Sequence, residues 1–200
     1  MPGARGGSTL GPWFLYHYYE AECGPFRNLS DLAPAAAEAV QHELRKRGDV
    51  FASRRSDDYL TIRRQLEDRA RELFIHKGGE PVRQRPHYMT LGACDWIRQW
   101  YRDGRELKLP LDEFDPRTVS FTYGDLFPTM RLDDGRPYRG EVYTQAEISR
   151  VIERYGLPQA WNPDGSSGPE RYIEAQIWDD ALLAGLLAEH RRPLHDTTDR

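Results

Sequence analysis

The stretch "PERYIEAQIWDDALLAGLL", Pro169 to Leu187, sets two carboxylates, Glu170 and Glu174, on or beside a segment with the composition of a buried strand. In strand alternation Tyr172, Glu174, Gln176 and Trp178 share one face, while Ile173, Ala175 and Ile177 share the other. The apolar face turns to the core. Glu174 is then flanked by aromatic rings, neither plainly solvated nor plainly buried. Partial burial raises a carboxyl pKa and suits the group to acid–base work or to steadying a cation-like transition state. A solvated mid-strand glutamate is the alternative. Glu170, at the start of the strand, is the weaker candidate.

Further candidates lie on other segments. His17 sits inside the aromatic run "WFLYHYY", sharing a face with Tyr19 and opposing Tyr16 and Tyr18. Its ring suits donation to a ligand hydroxyl such as a ribose oxygen, or it is a satisfied core histidine. Tyr88 and Thr90 share a face of "HYMTL", where a tyrosine can stack on a flat ring or simply pack in the core. Tyr123 and Asp125 stand where "VSFTY" runs into a glycine turn, a common place for site residues. Asp125 has the alternative of bonding only the turn backbone. Arg54 and Arg55 precede a long helix and can grip phosphate or carboxylate through forked donors. With Arg63, Arg64, Arg69 and Arg71 they also fit a solvated face paired with Glu67, Asp68 and Glu72.

Metal, phosphate-loop and nucleophile-elbow signatures are missing: there is no C-x-x-C, H-E-x-x-H, G-x-x-x-x-G-K-[ST] or G-x-S-x-G. No bound metal is expected, and a zinc enzyme or P-loop NTPase is disfavoured.

Several elements must position these side chains. Residues 13–19 and 87–91 read as strands, as do "VSFTY" (119–123) and "RYIEAQIW". A helix is expected after Pro34 as far as Arg47, with Gly48 as its stop. In "DDYLTIRRQLEDRARELFIHKGG" Tyr59, Ile62, Leu66, Ala70 and Leu73 recur at three- and four-residue steps, which predicts an amphipathic helix. A short helix is expected in "CDWIRQWYRDG", and "DDG" at 133–135 suggests a turn between "LFPTMRL" and "YRGEVY". Thr144 and Glu147 have capping-box spacing, with Gly156 and Pro158 ending that helix. "NPDGSSGP" is a loop, and Asp179 is the expected cap of a last helix in "DALLAGLLAEH". Helices and strands alternate irregularly, which favours α+β over a doubly wound parallel sheet.

Bulk properties bound the class. A 200-residue chain with 38% hydrophobic and 30% charged residues can bury one proper core. The expected organisation is a flexible leader at 1–12, a single domain at 13–190 and a polar tail at 191–200. Net charge −4 argues against a chain-wide nucleic-acid-binding field. Cys23 and Cys94, sparse and without metal spacing, fit reduced thiols. With no signal-peptide core and no membrane-length apolar run, the expectation is a soluble, cytoplasmic protein without membrane partners.

Two resemblances follow from these segments. "YHYYE", "FTYGDLFPTMR" and "GPERYIE" resemble an uncharacterised family of small bacterial proteins, over most of residues 14–180. More distantly, "LYHYYEAECGPFRNLSDL", "HYMTLG" and "ERYIEAQIWDDALLAGL" resemble the three motif strands of ADP-ribosyltransferase-like domains. That resemblance implies a split β-sheet with flanking helices and NAD, as substrate, bound in a cleft. It implies His17 at the ribose, Tyr88 stacked on nicotinamide and Glu174 as the carboxylate that promotes nicotinamide loss; Tyr19 stands where the first motif usually has Thr. Breaking an N-glycosidic bond passes through an oxocarbenium-like state that a carboxylate stabilises. The implied activity is ADP-ribosyl transfer or NAD hydrolysis on a nucleotide held also by Tyr19, Arg54, Arg55, Thr90, Tyr123 and Asp125; the resemblance names no macromolecular acceptor. Two alternatives stand beside it: a non-catalytic module binding a small molecule or protein, and an acid–base hydrolase or lyase pairing His17 with Asp125 or Glu174.

Overall fold

The computed structural model describes residues 13–48 and 51–191. Five strands, β1 (Phe14–Glu20), β2 (His87–Leu91), β3 (Gly104–Pro110), β4 (Val119–Tyr123) and β5 (Ile173–Ile177), form one sheet in the order β3-β1-β2-β5-β4. Every neighbouring pair is antiparallel. Among the described residues seven α-helices accompany it: α1 (Pro34–Arg47), α2 (Tyr59–His76), α3 (Asp95–Arg98), α4 (Leu126–Arg131), α5 (Gln145–Tyr155), α6 (Pro158–Trp161) and α7 (Ala184–Arg191). This is an α+β arrangement, as the irregular alternation predicts. The expected leader and tail lie outside the described residues, apart from Arg191, which ends α7. Among the described residues no helix is long and apolar enough to cross a membrane.

Register sorts the sheet into two unlike faces. Across the strands Leu91, Ile173 and Tyr123 align, as do Met89, Ala175 and Phe121. These side chains join Ile148 and Ile152 of α5 in the larger core. The other face aligns Thr90, Glu174 and Thr122, and Tyr88, Gln176 and Ser120. A solvated polar face would be the ordinary outcome of such alternation. Here it is covered by α2 and α4 through Leu66, Ala70, Phe74, Leu126 and Met130. Its polar groups therefore satisfy one another: Trp178 Nε1 donates to Ser120 Oγ (2.8 Å), Ser120 Oγ to Gln176 Oε1 (2.9 Å), and Gln176 Nε2 to Thr122 Oγ1 (3.1 Å).

Local signals place most elements. Gly48 closes α1 in the left-handed region at φ +68°, which a glycine adopts without penalty. The capping box of Thr144 and Glu147 is complete. Three expectations need correction. Strand β3, "GRELKLP", is an edge strand whose alternation is only the short Leu107–Leu109 pair among charged residues, too brief to read as a strand; β1 pairs with it over seven residues. The turn at "DDG" follows a helix, since Asp125 Oδ1 accepts from Phe127 N (2.8 Å) and starts α4. Asp179 does not cap the last helix: it accepts from Ala181 N (3.1 Å) in a turn, and α7 begins only after the chain has buried Leu183.

The arginine-rich face of α2 is not uniformly solvated either. Glu67 is fully buried. Its Oε1 accepts from Ser30 Oγ (2.7 Å), Arg63 Nε (2.9 Å) and Tyr88 Oη (2.8 Å), and Arg85 Nε lies 3.6 Å from Oε2. One carboxylate thus ties α2 to β2 and to the segment after β1. Removing one member of a buried charge pair costs about 3–5 kcal/mol. Glu67→Ala is expected to lose that much in urea unfolding, and Glu67→Gln, which keeps an accepting oxygen, to lose less.

Candidate functional site

A cavity of about 600 Å³ lies where β1 and β2 part. The two strands pair at Leu15–Leu91 and Tyr16–Thr90. Beyond that the cavity takes residues from both alternation classes of each strand: Tyr16 and Tyr18 with His17 and Tyr19, and Tyr88 and Thr90 with His87 and Met89. The split falls at His17. Phe26 N donates to its Nε2 (2.8 Å), so the neutral ring carries its proton on Nδ1 and donates to the Tyr88 carbonyl (2.9 Å). Phe26 stacks on the ring, centroids 4.1 Å apart, and holds φ +56°, a region that costs a bulky residue strain. Burial lowers the His17 pKa to about 4, with His87 adding to the effect against the Tyr88 hydrogen bond. Both ring nitrogens are therefore engaged with backbone, and among the described contacts His17 pairs with neither Asp125 nor Glu174.

Glu174 is buried at the cavity wall, 7% exposed, rather than half-solvated. Gln176 Nε2 donates to its Oε1 (3.1 Å), and Tyr172 Oη lies 3.3 Å from its Oε2. Burial, then the negative charge of Asp125, raises its pKa well above the usual carboxyl range. Asp125 does more than hold the turn. Besides capping α4, its Oδ2 accepts from Tyr172 Oη (2.9 Å).

Guanidinium groups supply the opposite charge. Arg63 lies over the Tyr88 ring, 4.4 Å from its centroid, and donates to Tyr59 Oη (2.8 Å). Arg55 lies over the Tyr59 ring at 4.4 Å, and Tyr59 stacks on Phe127 with centroids 4.9 Å apart. Glu67 pairs with Arg63. Among the described residues no carboxylate lies within ion-pair distance of Arg55. Burial, and to a lesser degree the charge of Arg63, pulls the Arg55 pKa below its ordinary value, yet a guanidinium stays charged. Its charge faces the cavity.

Of the residues singled out in the sequence, His17, Tyr19, Arg55, Tyr88, Thr90, Asp125 and Glu174 line this one cavity. Tyr88 meets it with its hydroxyl committed to Glu67 and one ring face covered by Arg63. Thr90 Oγ1 donates to the Gly92 carbonyl (2.7 Å). Arg54 is exposed and is not part of the lining. Tyr123 points into the opposite core, fully buried, its hydroxyl 2.9 Å from the Gly156 carbonyl and 3.1 Å from that of Tyr155. Glu170 is buried in a separate ion-pair cluster with Arg136 and Arg139. Sequence reasoning missed Tyr59, Arg63 and Tyr172. The Tyr59–Arg63–Glu67 spacing, each pair four apart on α2, was the available signal for the first two.

No protein-family model, no curated protein and no solved structure matches the chain.

The buried neutral histidine predicts acid sensitivity. With a folded pKa of about 4 against an ordinary 6.5, His17 contributes stability that is complete above pH 6.5 and lost as pH falls toward 4. Allowing for partial exposure, the loss is on the order of 2 kcal/mol. Urea midpoints at pH 7.5 and 4.5 are expected to differ more in wild type than in His17→Gln, whose side chain takes up no proton.

Proposed function

We propose that the cavity binds NAD or a related nucleotide and that the protein cleaves or transfers at the nicotinamide–ribose bond, with Glu174 as the essential carboxyl group. One observation carries this reading: a single aromatic-lined cavity holds a guanidinium, Arg55, with no carboxylate partner among the described residues, together with a buried carboxyl, Glu174. A dinucleotide needs both kinds of partner. Its phosphates suit forked cationic donors, its rings suit aromatic faces, and the positive charge at the scissile bond suits a carboxylate. That His17, Tyr88 and Glu174 line the same cavity supports the same reading.

The chemistry follows from the charges. The C1′–N bond breaks with its electron pair leaving on neutral nicotinamide, and positive charge develops on C1′ and the ring oxygen. Ionised Glu174, buried at the cavity wall, stabilises that charge. Water capture gives ADP-ribose and a proton; capture by another nucleophile gives transfer. Arg55 is suited to hold the phosphates and so to fix the ribose against Glu174.

A non-catalytic binding module is the second reading, and a specific observation favours it. Both His17 nitrogens are engaged with backbone, leaving no ring donor for a ribose hydroxyl.

Calorimetric titration and nicotinamide release separate the two. Arg55→Ala is expected to weaken NAD binding by roughly tenfold or more, the loss of a charged hydrogen bond, with thermal stability little changed. Glu174→Gln is expected to bind NAD and release no nicotinamide. Full turnover in Glu174→Gln would sink the catalytic assignment, and binding without turnover in wild type would leave the module.

A further inference from the structure

Tyr172 has one hydroxyl proton and two carboxyl neighbours. Asp125 Oδ2 is at 2.9 Å and Glu174 Oε2 at 3.3 Å. One hydrogen cannot serve both. The shorter contact assigns it to Asp125, whose other oxygen already accepts from the Phe127 N–H. Asp125 is thus an acceptor at both oxygens. Glu174 accepts at Oε1 from Gln176, which leaves Oε2 facing a hydroxyl oxygen whose hydrogen points elsewhere. Two oxygens in that position repel unless a proton lies between them.

We infer that Asp125, Tyr172 and Glu174 form a proton-sharing unit in which Glu174 Oε2 holds the proton of the empty cavity and donates it to the Tyr172 oxygen, while Tyr172 donates to Asp125. Asp125 and Tyr172 are positioning residues that act through Glu174. The other groups facing Glu174 do not remove the need for that proton. Arg63, from α2, is already paired with Glu67 at 2.9 Å. Tyr88, from β2, donates to Glu67. Thr90 and Thr122, aligned with Glu174 on the neighbouring strands, donate to the carbonyls of Gly92 and Gly124. The Leu126 N–H at the start of α4 and the Gln176 amide are neutral donors.

The unit has a consequence for ligand choice, which rests on the nucleotide reading. A ligand that brings positive charge to Glu174, such as an N-alkylated pyridinium, replaces the proton, which leaves to the solvent. A ligand with the same phosphates but no ring cation does not. The cavity then takes NAD with release of up to one proton and ADP-ribose with none, so the essential carboxylate is generated only when the reactive bond is present.

The first test does not depend on any nucleotide. In the full chain with carbon-13-labelled glutamate, one side-chain carboxyl is expected to titrate well above the ordinary carboxyl range. That signal should vanish in Glu174→Gln. Asp125→Asn, whose side chain still caps α4, and Tyr172→Phe should each move the midpoint down. A Glu174 carboxyl that titrates in the ordinary range, or that ignores both substitutions, would overturn the unit. The second arm is calorimetry of NAD and of ADP-ribose in two buffers of different ionisation enthalpy. Proton release with NAD alone, absent in Glu174→Gln, is expected; NAD binding with no proton release would overturn the exchange. If NAD does not bind, the nucleotide reading falls by itself and the carboxyl titration still decides the unit.

Discussion

The fully buried carboxylate of Glu67 is the constraint on which the site depends. A charge in that position is tolerable only when donors surround it, and Ser30 after β1, Arg63 on α2 itself, and Arg85 and Tyr88 around the start of β2 converge on it. Their convergence sets where α2 crosses the sheet. It also fixes Arg63 over Tyr88 and, through Tyr59, the position of Arg55. The aromatic and cationic wall of the cavity is therefore a consequence of satisfying one buried acid.

A second constraint opens the cavity. Antiparallel strands normally continue pairing for as long as their backbones face each other. Here the imidazole of His17 takes the Tyr88 carbonyl for itself and accepts the Phe26 N–H, replacing ladder contacts with side-chain ones. The strain at Phe26 is the local cost of that arrangement. It leaves a gap lined by both alternation classes of β1 and β2, also lined by Glu174 from the neighbouring strand β5 and by Asp125 after β4.

These two constraints place an acidic and a basic group in one cavity. Low-dielectric surroundings strengthen each interaction and penalise each unpaired group. Glu174 and Arg55 bear that penalty in opposite senses, burial raising the pKa of the first and lowering that of the second. Buried groups held away from their preferred ionisation states are a recurrent mark of functional sites. A ligand carrying both an anion and a cation relieves both at once.

By itself the sequence determined much of the local structure. β2 and β4, helix α1 with its glycine stop, the reach of α2 and the capping box of α5 were legible because periodicity and caps act within a few residues. Seven of the nine site candidates also meet in the cavity, Glu174 among them. What the tertiary structure alone decided was the burial of polar groups. Arg63 and Glu67 spell an ordinary solvated pair, and nothing in their spacing says that Ser30 and Tyr88 will close over them. Tyr123 and Tyr88 look alike as strand tyrosines, yet register sends one into the core and the other to the cavity. β3 carries only the short Leu107–Leu109 alternation among charged residues, and its pairing with β1 over seven residues completes it as a strand. Short-range rules specify elements, whereas desolvation depends on which distant side chains fill the space above a residue, and only the folded chain defines that space.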